Sequence, residues 1–189
     1  FSVPSGNFGN ICAGIMAQQL GLPVKKFIAS TNVNDIVPNY LETGNYEPKP
    51  SKQTSSNAMD VGDPSNFVRI LEIFNGDSEK LKSLLSSYSF TDEMTVNAMK
   101  EIKNETNYIA DPHGAVGYLG LKKYFEENDD DTQGIFLETA HPVKFLDVVE
   151  PAINETIAFP EQILEVIDKS KSTIKMSSYK ELKEFLLQS

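Results

Sequence analysis

Apolar and polar positions along the chain switch between two periods. "FSVP" (1–4) reads as the end of a buried strand, and "ICAGIMAQQLG" (11–21) then places Ile11, Ile15 and Leu20 at helical spacing until Gly21 stops the run. "PVKKFIAS" (23–30) alternates as a second strand. Strand, glycine-rich turn, helix, strand is the βαβ unit from which parallel sheets with right-handed crossovers are built. "NDIVPNYLETG" predicts a short helix capped by Asn34 and ended by Gly44. Residues 45–66, rich in Pro, Ser and Asn, carry little periodicity, and so long an irregular segment in a small domain is usually functional or mobile. Helical spacing resumes over Pro64–Phe74, Asp77–Tyr88 and Asp92 to about Glu105, the last behind Thr91 as N-cap. Asp111 and Pro112 open a further helix in the manner of a cap and a first-turn proline. An acidic loop, a strand over Ile135–Leu137 and a break at Pro142 follow, and the tail holds two amphipathic stretches, "PEQILEVID" and "YKELKEFLLQ". These elements predict an α/β fold: a parallel sheet with helices on both faces over residues 1–150, and a helical extension over 151–189 packing on it.

Composition narrows the classes of function. A net charge of −10, with Arg69 the only arginine, argues against a nucleic-acid surface. No apolar run approaches the ~20 residues that span a bilayer, and no basic, then apolar, leader stands at the N-terminus. The single cysteine, Cys12, forms no bridge within the chain, so a reducing, cytoplasmic setting is expected. The chain opens on Phe1 in mid-strand, which reads as a piece of something longer.

The stretch "SGNFGN" (5–10) sits between the first strand and the first helix. A helix start leaves backbone N–H groups without acceptors and carries partial positive charge; glycines before it let the backbone approach a bulky oxyanion. Gly6 and Gly9 bracket Asn7 and Phe8, while Ser5 and Asn10 can add donors. Two readings fit: a tight turn closed by glycines, and a cradle for one small phosphate. The pattern is neither G-x-G-x-x-G nor a Walker loop, which disfavours a dinucleotide or a nucleoside triphosphate.

"PSGNFGN" resembles the loop that holds the cofactor phosphate in the threonine synthase family of fold-type II pyridoxal-phosphate enzymes, and three further segments match in order: "NDIVPNYLETGNYEPKPSKQTSSNAMDVGDPSNFVRILE", "DPHGAVGYLGL" and "LETAHPVKF". The resemblance covers residues 3 to about 145 and is loose over 151–189. It implies the second half of the large domain, pyridoxal 5'-phosphate as cofactor, and conversion of O-phosphohomoserine and water to threonine and phosphate by the full enzyme. By the same pattern, Gly6 to Asn10 match the phosphate loop, and Thr139 matches the hydroxyl residue that meets the pyridine nitrogen. A neutral hydroxyl there moderates the electron sink, which suits elimination and replacement on the side chain. The Schiff-base lysine of the family lies upstream of this loop, in a part absent here, so the chain is expected to hold half a site, to be inactive alone, and to partner the missing N-terminal half or to self-associate. A threonine dehydratase or cysteine synthase lacks the long 45–66 segment as it stands here, and a non-catalytic phosphometabolite-binding module is the rival from another class.

Other residues carry paired readings. Asn57, Asp60, Ser65, Asn66 and Arg69 form a substrate-facing set or an ordinary helix entrance with a solvated arginine. His113 and His141, each beside a proline at a helix start, are proton relay or phosphate contacts, or simple caps, and the helix dipole favours their neutral form. Lys144 is close in sequence to Thr139 but reads as peripheral, and Lys25 and Lys26 as surface residues flanking a strand. Cys12 reads as packed, Glu126–Asp131 as a solvated loop without calcium-site spacing, and no metal is expected.

Overall fold

The structure, a computed structural model, describes residues 1–129 and 131–188 of the chain. β1 (Ser2–Pro4) leads into α1 (Gly9–Gln19), β2 (Phe27–Thr31) and α2 (Ile36–Thr43). After a long excursion broken only by a 3-10 turn at Asn57–Met59 come α3 (Phe67–Ile73), α4 (Ser78–Leu84) and β3 (Leu85–Ser89). α5 (Asp92–Thr106), α6 (Pro112–Glu127), a 3-10 turn at Pro142–Phe145 and α7 (Leu146–Ile153) follow. The strands form a parallel sheet of order β1-β2-β3, with Ser2 opposite Ile28 and Phe27 opposite Leu85. On its free side β1 pairs with Phe136 alone, also in parallel: Ser2 donates to Ile135 O and Leu137 donates to Ser2 O. The strand expected over 135–137 is thus a single bridge.

Alternation in the strands sorts the helices onto two faces. Val3, Phe27, Ala29 and Leu85 point to one side, where Ile11, Ile15, Val37, Phe67, Ile70 and Leu81 close the larger core. The opposite face is lined by small polar groups: Ser2 Oγ donates to Gly117 O at 2.6 Å and lies 2.9 Å from Ser30 Oγ. There α6 lies against the sheet through Gly117 and Gly120, three apart and so on one side of the helix. A methyl group on Gly120 would overlap the Ser30 hydroxyl, and one on Gly117 would press on the Pro4 ring at 3.3 Å. Behind α6, α5 and α7 close a second core around Met99, Ala115, Phe145 and Val149.

Local signals account for most boundaries. The Thr91 side chain accepts from Met94 N, the Asp111 side chain from His113 N and the Asp77 side chain from Lys80 N. Gly44 ends α2 at φ +79°. Three expectations need correction. The helix expected to run to Tyr88 stops at Leu84, because residues 85–89 pair with β2 and bury Leu85 in the larger core. Asn34 does not cap α2, which Asp35 precedes; its side chain instead exchanges hydrogen bonds with the Lys52 backbone and holds the long excursion in place. Lys26 flanks β2 half-buried rather than free in solvent: its ammonium donates to Lys82 O and Ser83 O at the end of α4, and burial lowers its pKa.

Residues Phe1–Ile157 form one compact unit, and α7 runs across residue 151 within it. Ala158–Ser189 form a second, with α8 (Glu161–Leu164) and α9 (Tyr179–Gln188). No helix among the described residues is long and apolar enough to cross a membrane.

Candidate active site

β1 delivers the chain into the 5–10 turn, and the turn ends at Phe8, which takes φ +60° and ψ 18°. The left-handed region is uncommon for an aromatic residue and costs on the order of 1–3 kcal/mol, so the surroundings must hold it there. They do: the Phe8 ring is buried edge-on against Phe67, 5.7 Å between centroids. Phe8 precedes α1 with no side-chain cap, and the first turn of α1 carries no acidic residue. The amides of the first turn and the helix dipole are therefore left for an external anion.

The outside of the turn is clamped by the long excursion. Asn7 Oδ1 accepts from Ser65 N at 2.6 Å and from Ser65 Oγ at 2.9 Å, and Asn7 O accepts from Asn66 Nδ2 at 2.9 Å. Asn66 Oδ1 in turn accepts from the exposed Arg69. Gly6 packs on the 3-10 turn so closely that a Cβ there would stand 2.6 Å from Met59 Cα. At Gly9 the nearest atom to such a Cβ is Asn66 Nδ2 at 3.6 Å, so crowding by protein does not demand that glycine.

The clamped turn forms one wall of a cavity of about 230 Å³ lined by Pro4, Gly6 to Asn10, Ala58, Met59, His113 and Thr139. Thr139 arrives from the bridge beside β1, and both it and the turn lie beyond the C-terminal ends of parallel segments, where ligands bind in open α/β sheets. Sequence reasoning placed Gly6, Asn7, Phe8, Gly9, Asn10, Thr139 and His113 at the site, and the fold brings all seven together. Ser5 is buried beside the cavity, its hydroxyl donating to Val3 O, and does not line it. Asp60 does not line it either: its oxygens accept from Asn32, Asn34 and Thr54 and organise the excursion. Asn57 is exposed at the start of the 3-10 turn, and Ser65, Asn66 and Arg69 support the turn from outside.

Lys144 is exposed, and no lysine lines the cavity among the described residues. Cys12 is buried in the larger core. His141 caps its 3-10 turn, Nδ1 accepting from Val143 N at 3.1 Å. The acidic stretch divides: Glu127 in α6 accepts from Tyr88 Oη, while Asp130 lies outside the described residues. Among the described residues no three His, Cys, Asp or Glu side chains stand where they could hold a metal ion.

Glu138 is the group that sequence reasoning missed. It stands beside Thr139, and its carboxyl lies over the start of α6, where a methyl group on Gly114 would overlap it. Burial, then the hydrogen bond and repulsion from Asp111, push its pKa up to about 9. Burial also raises Asp111, but hydrogen bonds from the His113 ring, Glu138 and the His113 amide bring it below the ordinary aspartate value. Asp111 Oδ2 and both Glu138 oxygens are buried with no partner other than each other. A proton on Glu138 gives the pair a donor, so one acid faces one carboxylate. No local signal marks Glu138, because its partners lie more than twenty residues upstream.

A family model described as "Threonine synthase, C-terminal" matches residues 114–186. The threonine synthase of Escherichia coli (strain K12) is 46% identical over 167 residues, covering 88% of this chain and 38% of the relative. That of Serratia marcescens is 41% identical over 187 residues, covering 98% and 42%. The crystal structure of threonine synthase from Escherichia coli superposes with a TM-score of 0.84 at 41% identity, covering 99% of this chain and 43% of that one. A pyridoxal-phosphate-bound threonine synthase from Brucella melitensis gives 0.82 at 28% identity, covering 100% and 45%. The chain spans about two-fifths of the length of these curated relatives.

Proposed function

Because the chain belongs to the threonine synthase family, matching its C-terminal portion, we propose that it supplies the cofactor-phosphate cradle and the ring-nitrogen contact of a pyridoxal-phosphate-dependent lyase. The full-length protein would convert O-phosphohomoserine and water to threonine and phosphate. The observation that carries this reading is the convergence of Gly6–Asn10 and Thr139 on one cavity from opposite ends of the compact unit. The cavity also fits the group by its chemistry: uncapped amides suit a phosphate, and the buried, unpartnered His113 Nε2 calls for a ligand. At about 230 Å³ it falls below the ~300–1,000 Å³ of complete ligand pockets, as one wall of a larger site would.

When bound, the cofactor supplies an electron sink for charge developing on the substrate. The protein's part begins with the turn, where the Gly9 and Asn10 amides and the α1 dipole bind the phosphate and fix one end of the ring. Thr139, on the same cavity wall, would hold the ring through a neutral hydroxyl, which would stabilise a positive charge on it less than a carboxylate. The Ser65 and Asn66 contacts keep the turn in its binding shape. Among the described residues no lysine lines this cavity, so we place the covalent anchor outside residues 1–189, in a segment of the kind that makes the relatives more than twice as long. The test is absorbance titration of the full-length gene product with pyridoxal phosphate, borohydride trapping with peptide mapping, and phosphate release from O-phosphohomoserine. Saturable binding, an adduct on a lysine outside this chain and cofactor-dependent release are expected. An adduct on Lys144, or release that ignores the cofactor, would overturn the assignment.

A further inference from the structure

His113 is only 3% exposed, its Nδ1 stands 2.7 Å from Asp111 Oδ1, and its ring centroid is 4.8 Å from that of Phe145. Yet Nε2, on the far side of the ring, is buried without a partner in the residue that joins the phosphate turn and Thr139 in one cavity wall. With Asp111 a carboxylate, Nδ1 carries a proton and donates it, which leaves Nε2 as the atom whose protonation can change. An unmet buried nitrogen costs on the order of 1–3 kcal/mol, and a ligand can relieve it.

The rest of the cavity decides which ligand group. Its amides and uncapped helix start favour an anion, and an anion needs a donor from His113. Asp111, at the start of the same helix, faces the ring; Glu138 stands against Asp111, and Tyr108 is near enough to both that burial and then these two carboxyls raise its pKa; the 3-10 turn contributes the apolar Phe145. If both carboxyls were ionised, two negative charges would stand behind the cavity and repel a phosphate. With the proton kept on Glu138, a single negative charge remains, matched by a single imidazolium.

We propose that His113 is a proton-taking phosphate contact: when a phosphomonoester dianion enters the cavity, Nε2 binds a proton from solvent and donates it as a hydrogen bond to a phosphate oxygen. One N–H bond forms from the Nε2 lone pair, and no bond within the protein breaks. Asp111 holds the opposite ring nitrogen, and Glu138 is a positioning residue that keeps the charge behind the ring at one. The inference rests on the cradle reading given above and adds a proton to it. The dianion has two sources, the phosphate of the cofactor and the phosphate carried by the substrate.

The test is calorimetry on the full-length protein at pH 8, in two buffers of different ionisation heat. One arm titrates pyridoxal phosphate into apoprotein, and the other titrates inorganic phosphate into the cofactor-loaded protein. An ordinary imidazole is neutral at that pH, so uptake of about one proton is expected in the arm whose phosphate meets His113. The ring ¹⁵N signals of His113, assigned by their loss in a His113→Asn variant, should move to the imidazolium pattern. His113→Asn keeps a donor for Asp111 and lacks Nε2, and should lose the uptake with a roughly tenfold weaker affinity. Binding in both arms with no proton uptake and unmoved His113 signals overturns the inference and leaves the cradle standing, as does uptake retained in His113→Asn. Failure of both probes to bind the wild-type protein removes the cradle itself, and this inference with it.

Discussion

Glu138→Gln replaces a buried acid with a neutral amide of the same shape. In the folded protein the Glu138 carboxyl titrates near 9, against 4.5 for the free side chain. Between those values the folded state binds one more proton than the unfolded state, so stability falls as pH rises through this window. The slope for one proton is about 1.4 kcal/mol per pH unit, and it tails off as pH nears either value. Asp111 acts in a separate window: its lowered pKa contributes stability present above about 4 and lost on acidification, so it does not disturb a comparison near neutrality. Urea unfolding of the full-length protein at pH 6, 7 and 8 should show wild-type stability dropping by roughly 2–3 kcal/mol across the range, and a flatter line for Glu138→Gln. The variant gains on the wild type as pH rises. Parallel lines would refute the reasoning, because a Glu138 already ionised in the folded state at pH 6 carries no extra proton whose loss the substitution could abolish.

Three further outcomes follow from the same geometry. Gly6→Ala sets a Cβ 2.6 Å from Met59 Cα, backbone against side chain with no flexible neighbour to yield, and should cost about 1–3 kcal/mol in denaturant unfolding while weakening cofactor binding. Asn7→Ala removes the acceptor for both Ser65 donors at an exposed position; pyridoxal phosphate affinity measured by absorbance should fall roughly tenfold, with stability changed by less than about 1 kcal/mol. Thr91→Ala strips the cap from α5 and should lower stability by about 1 kcal/mol without touching cofactor affinity.

Features whose causes are local were legible in the sequence. Thr91 and Asp111 announce helix starts because capping is decided within three residues, and the turn of Gly6 and Gly9 announces itself because it joins a strand to a helix. What escaped depends on partners distant in the chain. "SLLSSYS" continues the helical spacing of α4 and becomes β3 only because β2 is there to pair with it. Asp60 has the composition of a binding residue, and only the fold shows that Asn32, Asn34 and Thr54 already occupy its oxygens. The family resemblance named Thr139, and the fold brings that residue to the cavity wall. Glu138, its immediate neighbour, became visible only when Asp111 and Gly114 were placed against it.

Two glycines of α6 set a dimension of the cavity from outside it. Where Gly117 and Gly120 give the helix no side chain of its own, the separation of the two layers is fixed by direct contact with Pro4 and Ser30, and the helix start that carries His113 inherits that spacing. A bulkier residue at Gly120 would lever the helix outward about its far end and widen the gap between His113 and the turn, although no residue that lines the cavity had changed. Variants that weaken phosphate binding should therefore surface two turns down α6, at a position that a search confined to the cavity walls would never test.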